Sequence, residues 1–286
     1  MPSIAVPSSP SPICYRVDAC DSQAHLYRIC LTIAQPQAQQ QVQLPAWIPG
    51  SYLLREFAKH LQNLQAFQAG QALAVTQLDK ATWQVDNSAA APLELHYEVY
   101  AFDPSVRTAW LDAQRGFFNP TSLCLQVAGQ SQVGHCVELF LSENLAKNGA
   151  NAAWAAIKIE ENAWRFNFPD YDALADTPFV FAQDLWRGEF LAAGIAHKFI
   201  IVGAPPNLDG QKLIEDAQRI CAAQQQFWGA QPAIFERYVF MLHATEDGYG
   251  GLEHMASTAL ICARADLPQL GQGARSAGYI SLLGLI

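Results

Sequence analysis

Two stretches of this chain combine residue types that chemistry can use. The first is Tyr249-Gly250-Gly251-Leu252-Glu253-His254. Glycines let a backbone approach a ligand closely, and a carboxylate at the end of such a turn can hold an ammonium group. The plainer reading is a hairpin turn with an exposed Glu253. The second stretch, Trp47-Ile48-Pro49-Gly50-Ser51-Tyr52-Leu53-Leu54-Arg55-Glu56-Phe57, is a proline–glycine turn between two aromatic anchors. Read structurally, it is a corner in which Trp47 and Tyr52 pack and Arg55 pairs with a carboxylate. His96 with Glu98, and His135 with Glu138, could each contribute to a metal site, although solvated or satisfied surface groups serve the same pattern.

Several familiar site patterns are missing. Gly50-Ser51-Tyr52-Leu53 lacks the second glycine of a nucleophile elbow, and there is no phosphate-cradling Walker A loop. Gly248-Tyr249-Gly250-Gly251-Leu252-Glu253 places a glutamate where a dinucleotide fingerprint needs its third glycine. None of the seven histidines is followed by glutamate, so no H-E-x-x-H zinc motif is present.

The elements that must position these residues follow from the chain as a whole. At 286 residues the length suggests roughly two domains of about 150 residues. A net charge of −9 gives no electrostatic footprint for phosphate backbones or acidic lipid surfaces, so neither nucleic acid nor membrane is an expected partner. With 51% hydrophobic residues the chain is not disordered. Seven cysteines, an odd number without C-x-x-C spacing, argue against a disulfide framework or zinc ribbon. Reduced, mostly buried thiols in a cytoplasmic protein are expected. No signal peptide is visible, and the apolar run from Phe190 to Val202 is broken by His197 and Lys198, too soon for a membrane span.

The first half reads as short strands. Tyr15 and Val17, Leu26–Ile33, Leu93–Phe102 and Leu123–Val127 are separated by turn-forming or glutamine-rich stretches such as Gln35–Gln41. Pro45, Pro49 and Gly50 break any helix around Trp47. After residue 181 the texture changes. Phe199–Val202 is a continuous apolar strand, and Leu213–Trp228 has helical periodicity with Asp209 as a cap and Gly229 and Pro232 as stops. Tyr238–His243 is another strand, with Leu260–Cys262 as a possible partner. Tyr279, Leu282, Leu283 and Ile286 form the apolar face of a last helix. The expected class is α+β, mainly β in the first half. It comprises a disordered tail over 1–12, a β-sandwich-like domain over 13–180, and a second domain over 181–286.

Together the two stretches resemble the glycyl aminopeptidase family, the zinc metalloaminopeptidases that carry a PDZ domain. Trp47–Phe57 is similar to the family's W-x-P-G-S-Y-x-x-R-E-F signature. Thr82-Trp83, Tyr97–Ala101, Val106-Arg107, Leu111-Asp112, Gly116–Asn119, Asp170–Asp172, Asp176–Pro178 and Tyr249–His254 with Ser257-Thr258 match in the family's order. The resemblance implies an N-terminal β domain followed by a thermolysin-like catalytic domain that binds zinc through H-E-x-x-H. This sequence stops short of that motif, so it is expected to be a truncated N-terminal part. Catalytic zinc belongs to the full-length protein, and no cofactor or metal ligand is expected here. The implied substrate is a peptide with a free N-terminus and a small first residue, Gly or Ala. Glu253 would fix the α-amine, and Gly250 and Gly251 would present backbone groups to the extended peptide. His254 would support the turn or touch the substrate. The alternative is a non-catalytic β module that binds a peptide or partner. Truncation would also expose the apolar face of the last helix and favour self-association.

Overall fold

The computed structural model describes residues 11–48, 50–152, 154–229 and 235–286. Alternating apolar side chains build an eight-stranded sheet in the first part of the chain. Its spatial order is Ile157–Glu160, Ala163–Phe168, His135–Leu141, Ile13–Ala19, Leu26–Ile33, Leu93–Tyr100, Leu61–Gln68 and Gln71–Leu73. Neighbours are antiparallel except Ile13–Ala19 with His135–Leu141. Tyr15, Val17, Ile29, Leu31, Leu95, Tyr97 and Val99 are buried on one face. The intervening residues, among them Arg28, Cys30, His96 and Glu98, turn outward, as the two-residue period of a strand requires. A four-stranded and a three-stranded sheet complete this part, and Val42, Trp83, Phe118 and Phe179 join the same core.

From Trp186 onward the chain forms a five-stranded sheet in the order Trp186–Ala192, Ile195–Val202, Arg237–Thr245, Ser257–Ala263, Tyr249–Glu253. The three middle strands are parallel, and the helix Gly210–Phe227 connects the first two of them. Such strands are covered on both faces, which explains the continuous apolar run Phe199–Val202. Ile200, Val202, Val239 and Met241 join the first core. Phe199, Ile201, Phe240 and Leu242 join a second core with Leu213, Tyr279 and Leu282 of the helices. Asp209 caps the Gly210–Phe227 helix by accepting from the Lys212 amide at 3.1 Å. Pro232, the second stop, lies outside the described residues. Buried Asp216 accepts from the Tyr279 hydroxyl at 3.0 Å and from Arg275 and Arg219, fastening this helix to the last one.

Several expectations need correction. The glutamine-rich run is a turn only as far as Ala38: Gln39–Gln43 is a strand with Gln40 and Val42 buried, and amides pair across it, as in Gln41–Gln84. Leu123–Leu125 is not a strand. Its three consecutive carbonyls accept the buried hydroxyls of Tyr97, Tyr171 and Tyr15, which replace ladder hydrogen bonds. Burial pushes all three hydroxyls well up. Of the expected tail, residues 1–10 lie outside the described residues, while the Pro12 carbonyl is already held by the Ala34 amide at 2.9 Å. The cysteines are not all reduced. Cys14 and Cys136, register partners on the one parallel ladder of the eight-stranded sheet, are joined with Cα atoms 4.7 Å apart. The apolar face of the last helix, Ala277–Leu283, is covered within the chain, with Tyr279 and Leu282 buried and Leu283 and Ile286 packed against the second core. Among the described residues, no helix is long and apolar enough to cross a membrane.

Candidate functional site

The stretch Tyr249–Glu253 is an edge strand rather than a hairpin turn. It pairs antiparallel with Ser257–Ala263, from Tyr249 opposite Cys262 to Glu253 opposite Thr258. Glycine is needed here for conformation, because Gly250 has φ +150°. The amide of His254 donates to the Ser257 carbonyl at 2.8 Å. Antiparallel pairing alternates between bonded and unbonded residues, so the backbone groups of Gly251 and Glu253 face the outer edge. No strand among the described residues pairs there.

Residues far apart in sequence converge on that edge. The Arg107 guanidinium donates to the Gly251 carbonyl at 2.9 Å. The Trp47–Tyr52 corner abuts the same strand: a Cβ at Gly50 would stand 3.1 Å from Leu252 Cδ1 and 3.6 Å from the Glu253 carbonyl. Gly50 also has φ +79°, so no other residue fits without strain. The corner itself departs from expectation. Tyr52 is fully exposed and Trp47 is half exposed, whereas Ile48 and Phe57 are the buried anchors. Arg55 pairs with no carboxylate among the described residues; its Nε donates to Ser51 Oγ at 3.1 Å, and Trp47 Nε1 donates to the Ser51 carbonyl. Pro49 lies outside the described residues.

His254 now has a defined setting. Asp176, which closes the short helix Tyr171–Ala175, accepts from His254 Nδ1 at 3.1 Å and from the Met255 amide at 2.8 Å. The imidazole side chain is 4% exposed, and its Nε2 is buried without a partner among the described residues. Glu253, in contrast, is exposed and forms no ion pair with any described lysine or arginine. Its carboxylate lies close enough to Tyr238 to add to burial in pushing that hydroxyl up. Tyr249 tethers the other end of the strand by donating to the Ser281 carbonyl at 3.3 Å. Gly250, Gly251, Glu253 and His254 therefore lie on one edge. Asp176 and Arg107, which hold that edge in place, had no role assigned by sequence reasoning. Their only signal was membership of the matched stretches.

Two other places compare poorly with this edge. A cavity of about 20 Å³ is lined by Ser105, Trp110, Arg115 and His243. That is room for one water, not for a substrate. Burial, with Arg115 nearby, pushes the His243 imidazole down to about 3. The pairs expected as metal ligands do not assemble either. Glu98 is taken by Arg28, Asn63 and Gln62. His135 is buried and bonds the Val133 carbonyl, while Glu138 pairs with Arg165. For a catalytic zinc the donors at the edge strand do not fit: Glu253 and His254 are adjacent on a strand, and His254 Nδ1 is committed to Asp176.

Residues 14–183 match the Peptidase M61 N-terminal domain. No curated protein matches the chain. Among solved structures, a crystal structure of an aminopeptidase N family protein from Idiomarina loihiensis is 38% identical with a TM-score of 0.89. The match covers 96% of this chain and 46% of that one, so the chain spans less than half the length of this relative. An M1 zinc metallopeptidase from Deinococcus radiodurans is 12% identical at a TM-score of 0.51, over 87% of this chain and 58% of that one. Legionella pneumophila aminopeptidase A, crystallised with aspartic acid, is 8% identical at 0.57, over 95% and 32%. These last two likenesses show the fold. The resemblance read from Trp47–Phe57 and Tyr249–His254 thus agrees with the comparisons, and the chain belongs to the M61 peptidase family through its N-terminal domain.

Proposed function

We propose that this chain is the N-terminal part of a zinc aminopeptidase that removes small first residues, Gly or Ala, from peptides. The observation that carries this reading is Glu253, exposed and without an ion-pair partner among the described residues, at the end of an edge strand whose outward Gly251 and Glu253 amides meet no other strand among those residues, while its Gly251 carbonyl is already held by Arg107. An extended peptide adds to such an edge through backbone hydrogen bonds. Its N-terminal ammonium then meets the Glu253 carboxylate, which has no competing lysine or arginine among the described residues. Arg107 holds the middle of the strand at Gly251, and Asp176 holds His254 and Met255 just past its end, so that this carboxylate keeps its place. The zinc that polarises the scissile carbonyl and acidifies a bound water would be held by residues of the whole protein outside this sequence.

The chain by itself is accordingly inactive. Purified chain is expected to release no aniline from alanyl or glycyl anilides, with or without added Zn²⁺, while the whole protein releases it steadily. Hydrolysis by the pure chain that co-purifies with it through several columns would contradict this. A non-catalytic peptide-binding role would use the same edge. It would be favoured if the whole protein bound such peptides without cleaving them.

A further inference from the structure

The outer face of the eight-stranded sheet gathers three side chains of a different character. Cys30 and His96 are register partners on the adjacent strands Leu26–Ile33 and Leu93–Tyr100. Glu94, two residues before His96, shares its face. Cys30 Sγ lies 3.4 Å from His96 Nε2, and Glu94 Oε2 lies 3.4 Å from that same nitrogen. The three donor atoms are all within 4.8 Å of one another.

Those separations can be compared with a bound ion. Zinc–sulfur bonds of about 2.3 Å and zinc–nitrogen or –oxygen bonds of about 2.0–2.2 Å, at tetrahedral angles, put donors roughly 3.4–3.6 Å apart. The thiol–imidazole and imidazole–carboxylate spacings already have that size. The neighbours hold the donors without using them up. The His96 ring stands edge-on to Phe67, with centroids 5.2 Å apart, and Phe67 is the residue opposite Glu94. Arg16, opposite Cys30 on its other side, lies over the Phe140 ring at 3.9 Å and forms no ion pair with Glu94. Among the described residues, His96 is the sole side chain within ion-pair distance of the Glu94 carboxylate. Glu98, two residues further on, shows the contrast, since Arg28, Asn63 and Gln62 saturate it. His96 and Glu94 are about half exposed, so water can reach a fourth position.

We propose that Cys30, Glu94 and His96 form a surface site for one zinc-class divalent cation. A thiol, an imidazole and one carboxylate select a borderline ion such as Zn²⁺ or Co²⁺ over Mg²⁺ or Ca²⁺, which prefer all-oxygen shells. On binding, the metal–sulfur bond replaces the S–H bond and the thiol proton passes to solvent.

The test is a Co²⁺ titration of the purified chain under a non-chelating reductant. A thiolate-to-cobalt charge-transfer band should saturate near one ion per chain and vanish when Zn²⁺ is added. Cys30→Ser should abolish the band, and Glu94→Gln and His96→Asn should each weaken Co²⁺ binding at least about tenfold. Cys20→Ser and Cys221→Ser should leave it unchanged. Absence of the band, or a band that survives Cys30→Ser, overturns the proposal. A second measurement needs no variant: Zn²⁺ should slow alkylation of Cys30 but not of Cys20, and equal rates with and without Zn²⁺ would also overturn it.

Discussion

Replacing Glu253 with glutamine is expected to lower kcat/KM of the whole, zinc-loaded protein on alanyl anilide by about 10²-fold. The substitution keeps the shape of the side chain and removes its charge. Once a peptide covers the edge strand, the ammonium–carboxylate pair is shielded from water. Removing one member of such a pair costs roughly 2–5 kcal/mol, and each 1.4 kcal/mol is tenfold. The low part of that range applies because Glu253 is exposed in the chain as it stands. The change should not affect zinc content. It should also erase the preference for a free over an acetylated N-terminus, which a merely structural role for Glu253 would leave intact. An unchanged preference in the glutamine variant would exclude Glu253 as the group that fixes the amine.

The second large effect concerns stability. Asp216 is buried on the Gly210–Phe227 helix and gathers Arg275, Tyr279 and Arg219 around one carboxylate. Burial by itself would push that carboxyl up, but the hydrogen bonds from Arg275, Tyr279 and Arg219 outweigh it and hold it below the ordinary carboxylate range. Asp216→Ala leaves the Tyr279 hydroxyl and two guanidinium groups without their acceptor. Breaking a buried pair costs about 3–5 kcal/mol, and about 3 kcal/mol is expected because both arginines are partly exposed. For a protein of this size the melting midpoint should fall by roughly 6–12 °C. Tyr279→Phe, which removes one donor, should cost only about 1 kcal/mol. Because the folded state lowers the Asp216 pKa, its contribution is present above the ordinary carboxylate range and lost as pH falls through the folded value. Asp216→Ala should therefore be less sensitive to acid than the unaltered chain. Equal acid sensitivity in calorimetric scans would contradict this.

The sequence disclosed the fold unevenly, for physical reasons. Strands with one buried face, such as Leu26–Ile33 and Leu93–Tyr100, declared themselves by alternation, and the Gly210–Phe227 helix by its period and its Asp209 cap. Gln39–Gln43 did not, because glutamine amides pair across neighbouring strands and so a strand can look like a polar linker. Leu123–Leu125 looked like a strand because it is apolar, yet its carbonyls are satisfied by tyrosines 26, 47 and 110 residues away. Two adjacent glycines punctuate most sequences as a turn, but Gly250 and Gly251 instead lie in an edge strand. At the site, Glu253 and His254 could be singled out from residue type and order. The Asp176–His254 contact spans 78 residues and Cys30–His96 spans 66. Neither pairing has a spacing that a single sequence reveals; both follow from strand register and packing.

The edge strand can be interrogated directly in the chain as it stands. Uniformly ¹⁵N-labelled chain would be titrated with a trialanine amide and, separately, with its N-acetyl form. The free-amine peptide is expected to move the amide signals of Gly251, Glu253 and His254, while the acetylated peptide and the Glu253→Gln variant show far smaller changes. Equal shifts with both peptides, or shifts confined to residues away from Tyr249–His254, would contradict recognition of a peptide N-terminus at this edge.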